Sequence, residues 1–244
     1  MRPALVAVAH GARDAAGPEV VAELIEDVRH RLPGVEVVTA WVELLAPALG
    51  EVMCGMGRPS VVVPLLLSTG YHVLNDLPAA ASLAQVPVHI AAPLGPDRHL
   101  ARATAARLRE AGALWGDGVV LAAAGSTDPA GLAAVEQAAR LLSSEWGPGV
   151  TFACVSGDGP EVPEAVDYLR QTGAKRVLVA PYLLAPGRFS QRVRELASAA
   201  GATAVAPVLG GHRLVTDLVV LRYRQGLEAL AAHAASPDLV GSSS

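Results

Sequence analysis

Val6-Ala7-Val8-Ala9-His10-Gly11-Ala12-Arg13-Asp14 and Val120-Leu121-Ala122-Ala123-Ala124-Gly125-Ser126-Thr127-Asp128 are two versions of one passage. Each is a short apolar run, a glycine turn and a polar helix start. Outward from this pair the likeness continues. Pro64-Leu65-Leu66-Leu67-Ser68-Thr69-Gly70-Tyr71-His72 aligns with Pro181-Tyr182-Leu183-Leu184-Ala185-Pro186-Gly187-Arg188-Phe189, and Ala92-Pro93-Leu94-Gly95 recurs near Ala206 to Gly210. The offset is about 115 residues throughout, so the chain reads as two copies of one β-α-β-α-β-α-β-α unit. The copies occupy residues 1–114 and 115–235. Residues 236–244 (Ser-Pro-Asp-Leu-Val-Gly-Ser-Ser-Ser) have no periodicity and read as a disordered tail.

Short β-branched runs alternate with longer amphipathic ones, which is the α/β pattern. Strands are expected at Ala4–Ala9, Glu36–Val42, Ser60–Leu67, Val86–Ile90, Gly118–Ala123, Val150–Val155, Arg176–Leu183 and Ala202–Val205. Helices are expected at Pro18–Arg31, Asp97–Ala111, Pro129–Leu142, Ser190–Ala200 and His212–Ala232. Continuously apolar strands imply parallel sheets covered on both faces. Periodicity leaves two architectures open: a pair of doubly wound sheets, or one eight-fold barrel.

Composition narrows the chemistry. The 244 residues carry 19 Lys+Arg against 23 Asp+Glu, a net charge of −4, which gives no basic footprint for nucleic acid or an anionic membrane. Only Lys175 among the basic residues is a lysine, and its setting, Thr172-Gly173-Ala174-Lys175-Arg176, is not a phosphate loop. Cys54 and Cys154 lie too far apart in sequence for a CxxC redox site, a thiolate zinc site or an iron–sulfur cluster. No strand is followed by GxGxxG, so no nucleotide is expected. Cys154-Val155-Ser156-Gly157 fails as a GxSxG nucleophile elbow because Cys154 replaces the first glycine. The run Val61–Leu67 is short of the roughly 20 residues of a spanning helix, and Pro64 interrupts it. Met1-Arg2 with Ala4–Ala9 imitates a signal peptide, but its apolar stretch is shorter than an h-region and reads better as a buried first strand. A cytoplasmic protein is expected.

Three residues stand at the ends of the first three strands: His10, Glu43 and His72. Ligands of parallel α/β sheets bind at the carboxyl ends of strands. With a strand order 2-1-3 these three share one rim. Two imidazoles and a carboxylate can form a divalent-metal foothold with open positions, or act as proton acceptors at neutral pH. A lone strand-end histidine is more often structural; three polar residues on consecutive strand ends favour function. His30, His89, His99, His212 and His233 read as structural.

At these residues the sequence becomes specific. Val-Ala-His-Gly-Ala-Arg-Asp (8–14 with Val8-Ala9), then Val42-Glu43-Leu44 with Pro47, then Pro64 to Val73 and Asp76-Leu77-Pro78, resembles the sirohydrochlorin chelatase family, ATP-independent class II chelatases of cobalamin and sirohaem synthesis. The resemblance runs in order through the first repeat, with weaker echoes to about residue 230. It implies two tandem chelatase-like doubly wound lobes rather than a barrel. It implies insertion of Co²⁺ or Fe²⁺, the divalent metal being a substrate, into a sirohydrochlorin-like tetrapyrrole by a monomer or homodimer. His10 and His72 would bind metal and accept protons, with Glu43 assisting. Arg13, Arg98, Arg188 and Arg213, which follow strand ends, would clamp the carboxylates of the substrate, with Gly70 and Tyr71 beside it in the His72 loop. Ala12 stands where the family has serine, and Thr69 where proline is common. In the second repeat Ala124 replaces the first histidine, Phe189 the second, and Ser156 lies near the Glu43 equivalent, so that lobe keeps the scaffold without the chemistry. The competing reading is a non-catalytic metal or tetrapyrrole carrier using the same histidines; a metal-dependent hydrolase is a weaker third.

Overall fold

The computed structural model describes residues 2–11, 15–68 and 75–235. Strands β1 (Ala4–Ala9), β2 (Val37–Trp41), β3 (Ser60–Pro64) and β4 (Val88–Ile90) form one sheet in the order β2-β1-β3-β4. Strands β5 (Gly118–Ala123), β6 (Val150–Cys154), β7 (Val177–Tyr182) and β8 (Ala204–Val205) form a second in the order β6-β5-β7-β8. Every pairing is parallel, with Leu5 opposite Val37 and Val61, and Val119 opposite Val150 and Leu178. The architecture is therefore two open sheets of identical topology, not a closed barrel. The helices are α1 (Ala16–Arg31), α2 (Leu49–Gly55), α3 (Leu77–Ala81), α4 (Arg98–Glu110), α5 (Pro129–Trp146), α6 (Val162–Gln171), α7 (Arg188–Ala199) and α8 (Arg213–Ala235).

Each central strand is buried along its whole length, and its alternate residues serve different cores. Leu5, Ala7 and Ala9 of β1, with Val119, Leu121 and Ala123 of β5, belong to one continuous apolar cluster spanning both lobes. Val6 and Val8 instead meet Leu49, Met53 and Leu77 under α2 and α3. Val120 and Ala122 meet Val162, Val166 and Val193 under α6 and α7. Helices α1, α4, α5 and α8 thus form a shared middle layer between the sheets, with the other helices outside.

The middle layer is woven across the repeat boundary. α8, the last helix of the second repeat, packs on β3, β4 and α1 of the first; α4, the last of the first repeat, packs on α5 and β7 of the second. Gly226 of α8 lies so close to β3 that a Cβ there would stand 2.4 Å from Val61 Cγ1. Polar ties reinforce the crossing. Arg222 bonds Asp97 Oδ2 at 3.0 Å and the Pro93 carbonyl at 3.1 Å, Arg107 donates to the Leu209 carbonyl at 3.0 Å, and Arg31 pairs with Asp217. A sequence repeat and a packed lobe therefore differ by one exchanged helix.

Element ends depart from the sequence expectations in two informative places. β3 stops at Pro64 rather than Leu67, because the next carbonyls leave the ladder: Leu66 accepts from Gly95 N–H and Leu67 from the Tyr182 hydroxyl. α7 begins at Arg188 rather than Ser190, since Gln191 N–H already bonds the Gly187 carbonyl and Ser190 Oγ accepts from Gly187 N–H. No helix among the described residues is long and apolar enough to cross a membrane.

Candidate active site

The carboxyl ends of the central strands of both sheets open onto one cleft of about 950 Å³. From the first lobe it is lined by His10, Gly11, Trp41, Glu43, Leu44 and Leu65–Ser68; from the second by Ala123–Ser126 and Tyr182–Gln191. It is also lined from the N-terminal halves of the two inner helices, by Gly17 and Val21 of α1 and Gly131 and Val135 of α5. The two glycines recur at equivalent positions of the two repeats. That recurrence is visible in the repeat alignment, but it carries no chemistry of its own.

Backbone geometry explains how the polar rim is held. Beyond the β1–β2 ladder, Val42 N–H bonds the Ala9 carbonyl and Glu43 N–H the His10 carbonyl, each at 3.0 Å. His10 and Glu43 therefore leave adjacent strand ends side by side, and both are exposed to the cleft. Gly11 follows at φ +101°, and any Cβ there would lie 2.0 Å from the Glu43 carbonyl oxygen. Only glycine tolerates both the dihedral and the crossing. The second lobe repeats the device: Ser156 N–H bonds the Ala124 carbonyl at 3.0 Å, and Gly125 at φ +99° passes 1.7 Å (as a would-be Cβ) from the Ser156 carbonyl. There the side chains are Ala124 and Ser156, and the Ser156 hydroxyl turns back to the Ala124 carbonyl at 2.7 Å.

The other expected residues separate clearly. Arg188 and Phe189 occupy the first turn of α7 and line the cleft; Phe189 is 45% exposed, a large apolar face presented to it. Arg98 and Arg213 are exposed at the starts of α4 and α8 and do not line the cleft. Their helices follow the edge strands β4 and β8 and run off between the lobes, which carries both side chains away from the central strand ends. His72, Arg13, Gly70 and Tyr71 lie outside the described residues, as do Ala12, Thr69 and the tail 236–244. Among the described residues no group of three His, Cys, Asp or Glu side chains converges on a common point.

Three of the five histidines read as structural have close polar neighbours. His99 Nδ1 lies 2.8 Å from Asp97 Oδ1, His30 lies 3.8 Å from Glu26, and His212 Nδ1 accepts from Leu214 N–H at 3.2 Å. Burial lowers the His212 pKa, and the neighbouring Arg107 charge adds to the effect. Cys154 is buried, and desolvation raises its thiol pKa, so it behaves as a small apolar residue of the β6 end. Two cleft residues were not anticipated. Gln191 adds an amide beside Arg188. Tyr182 ends β7 almost fully buried, where the first repeat has Leu65, a polar-for-apolar exchange visible in the alignment.

Comparison with known proteins agrees with this arrangement. A family model described as CbiX matches residues 4–111 and again 118–226, once per repeat. A sirohydrochlorin ferrochelatase of Priestia megaterium is 25% identical over 242 residues, covering 94% of this chain and 88% of the relative. A sirohydrochlorin cobaltochelatase of Methanosarcina barkeri is 28% identical over 123 residues, covering 44% of this chain but 95% of the relative. That relative is therefore about one repeat long. The structure of SirB from Bacillus subtilis with Fe³⁺ superposes with a TM-score of 0.79 at 25% identity, covering 97% of this chain and 98% of the other.

Proposed function

The chain belongs to the CbiX family, and from that premise we propose that it inserts a divalent metal ion, Co²⁺ or Fe²⁺, into sirohydrochlorin without ATP. The observation that carries the reading is the pairing of His10 with Glu43 on adjacent strand ends, opening onto a cleft whose opposite wall comes from the other lobe and is mostly apolar, with Arg188 and Gln191 on it. At about 950 Å³ the cleft lies at the upper end of small-molecule sites and suits a large flat ligand.

Metal insertion asks three things of a protein. The incoming ion must find labile ligands that release it again; imidazole and carboxylate suit first-row divalent ions. Two inner N–H protons must be accepted as the ring nitrogens bind the metal, work suited to groups titrating near neutrality. The macrocycle must be held over these groups. His10 supplies the first, with His72 as second ligand or base and Glu43 taking or stabilising the released protons. Leu183, Leu184 and Phe189 give the ring an apolar face to lie against. The substrate is a polycarboxylate and the chain is itself acidic, so local cations must hold it. Arg188 lines the cleft and would do so, with Gln191 beside it and Arg13 as a further clamp from the first repeat. Gly70 and Tyr71 would meet the same ring, whereas Arg98 and Arg213 could act only at longer range.

The test is an anaerobic assay of sirohydrochlorin absorbance with Co²⁺ and Fe²⁺ at protein concentrations far below substrate. Many turnovers per chain are expected, lost in His10→Ala. Product formation that stops at one equivalent would identify a carrier instead.

A further inference from the structure

The two lobes close the exit of their third strand in different ways, and the difference involves one side chain. In the second lobe the carbonyls of Leu183 and Leu184 accept from consecutive backbone donors, Leu209 N–H at 3.0 Å and Gly210 N–H at 2.7 Å. The repeat places Leu66 and Leu67 opposite these carbonyls, and the matching strand register and helix starts place Leu94 and Gly95 opposite these donors. Gly95 N–H, the counterpart of the Gly210 donor, turns instead to the Leu66 carbonyl at 3.2 Å, one residue earlier, and the following Pro96 has no N–H to give Leu67. Tyr182 of the other lobe fills the gap, its hydroxyl donating to the Leu67 carbonyl at 3.1 Å. The contact is tightly built: a Cβ on Gly95 would stand 2.2 Å from the Leu67 oxygen and 2.3 Å from the Tyr182 hydroxyl.

We propose that Tyr182 is a positioning residue by which the second lobe fixes where the chain leaves β3. Its hydroxyl takes the place of the backbone donor that the second lobe supplies at the equivalent carbonyl. Leu65 to Ser68 line the cleft, and the sequence brings His72 a few residues further on. Loss of this bond leaves a carbonyl acceptor unsatisfied at the junction, a cost that relaxation of the segment would relieve. Burial, together with the Asp97 carboxylate, raises the Tyr182 pKa far above its ordinary value, so the phenol stays a donor at any working pH. The second lobe is thus more than a wall.

Tyr182→Phe in the full chain tests this, because it removes the hydroxyl and keeps the ring. Amide exchange over Leu65–Ser68 should quicken, and kcat for metal insertion should fall about tenfold while KM stays within about twofold. The bound-Co²⁺ absorption bands should shift as the site loosens. Tyr223→Phe is the control: Tyr223 is also buried and also crosses between lobes, its hydroxyl donating to the Pro3 carbonyl at 2.6 Å. It should lower thermal stability comparably while leaving kcat and Leu65–Ser68 exchange unchanged. Unaltered exchange in Tyr182→Phe overturns the proposal, as does an equal loss of kcat in both variants. The kinetic consequence rests on the chelatase reading; a wild-type chain without insertion activity would refute that reading, and the exchange measurement would still decide for or against Tyr182.

Discussion

The first lobe carries His10 and Glu43 where the second carries Ala124 and Ser156, yet the backbone beneath them is the same. Both lobes cross a glycine over the carbonyl of the neighbouring strand end, and both extend the ladder by two bonds past the last strand residue. The crossing is enforced by contact distances that no other residue type survives, so it persists whether or not the site is used. The side chains it presents face solvent and are released from that constraint. A fold duplicated in this way keeps its turn geometry and specialises its rims.

The largest effect should come from exploiting that asymmetry. His10→Ala and His72→Ala should each lower metal insertion by about 10²–10⁴-fold, the range for loss of a positioned acid–base group, with circular dichroism unchanged. Titration with Co²⁺ should find one tight site per chain, abolished by His10→Ala and indifferent to Phe189→Ala. Ala124→His should add no activity. Two equivalent sites per chain would break the comparison.

A second expectation concerns the exchanged helices. Because α8 covers β3 and β4, the lobes should melt in a single cooperative transition, and a fragment ending near Leu114 should aggregate or dimerise with its β3–β4 face bare. Gly226→Ala gives the interface a magnitude. Alanine gains about 1 kcal/mol of helix propensity, but its Cβ would meet the stiff Val61 side chain at 2.4 Å. Overpacking of that kind costs about 1–3 kcal/mol, so a net loss of stability is expected in thermal melts. Two resolved transitions would mean the lobes are independent after all.

Much of this was legible before any coordinates. The duplication and the placing of His10 and Glu43 at strand ends follow from apolar runs and turns, since such local patterns report directly on strand ends; the order 2-1-3 that makes the two neighbours was a condition of that reading, and the structure supplies it. The helix exchange was not legible. α8 looks like any amphipathic helix, and which sheet it covers depends on contacts separated by more than a hundred residues. The same blindness assigned Arg98 and Arg213 to the rim: they do follow strands, but edge strands whose helices depart into the middle layer. Tyr182 was written in the alignment as a tyrosine against Leu65, and its use became visible only beside the Leu67 carbonyl that Gly95 N–H leaves open.

Substrate charge gives a smaller effect. Arg188→Glu should raise KM for sirohydrochlorin about tenfold or more while lowering kcat less, the pattern of lost uniform binding. Added salt should weaken binding of the wild type, since exposed ionic contacts are screened over about 8–10 Å. Affinity independent of salt would assign recognition to the apolar wall alone.

The smallest effect distinguishes the ends of the two exchanged helices. Asp97 Oδ1 accepts from His99 N–H at 2.8 Å at the start of α4; His212 Nδ1 accepts from Leu214 N–H at 3.2 Å at the start of α8. The two caps span the same two-residue step, but a carboxylate accepts at every pH above its acid range, whereas an imidazole accepts only when neutral. Burial and the nearby Arg107 and Arg213 lower the His212 pKa, against an opposing contribution from Glu110. Its stabilising contribution is therefore complete above the unfolded value of about 6.5 and is lost as pH falls through the lower folded-state value. A cap of this kind is worth about 0.5–1 kcal/mol, or a few degrees in Tm for a chain of this size. His212→Asn, which caps without titrating, should flatten the Tm profile between neutral pH and the onset of carboxylate protonation. Parallel profiles for the two proteins would show that the α8 end does not depend on the imidazole, and that the two crossing helices are anchored alike.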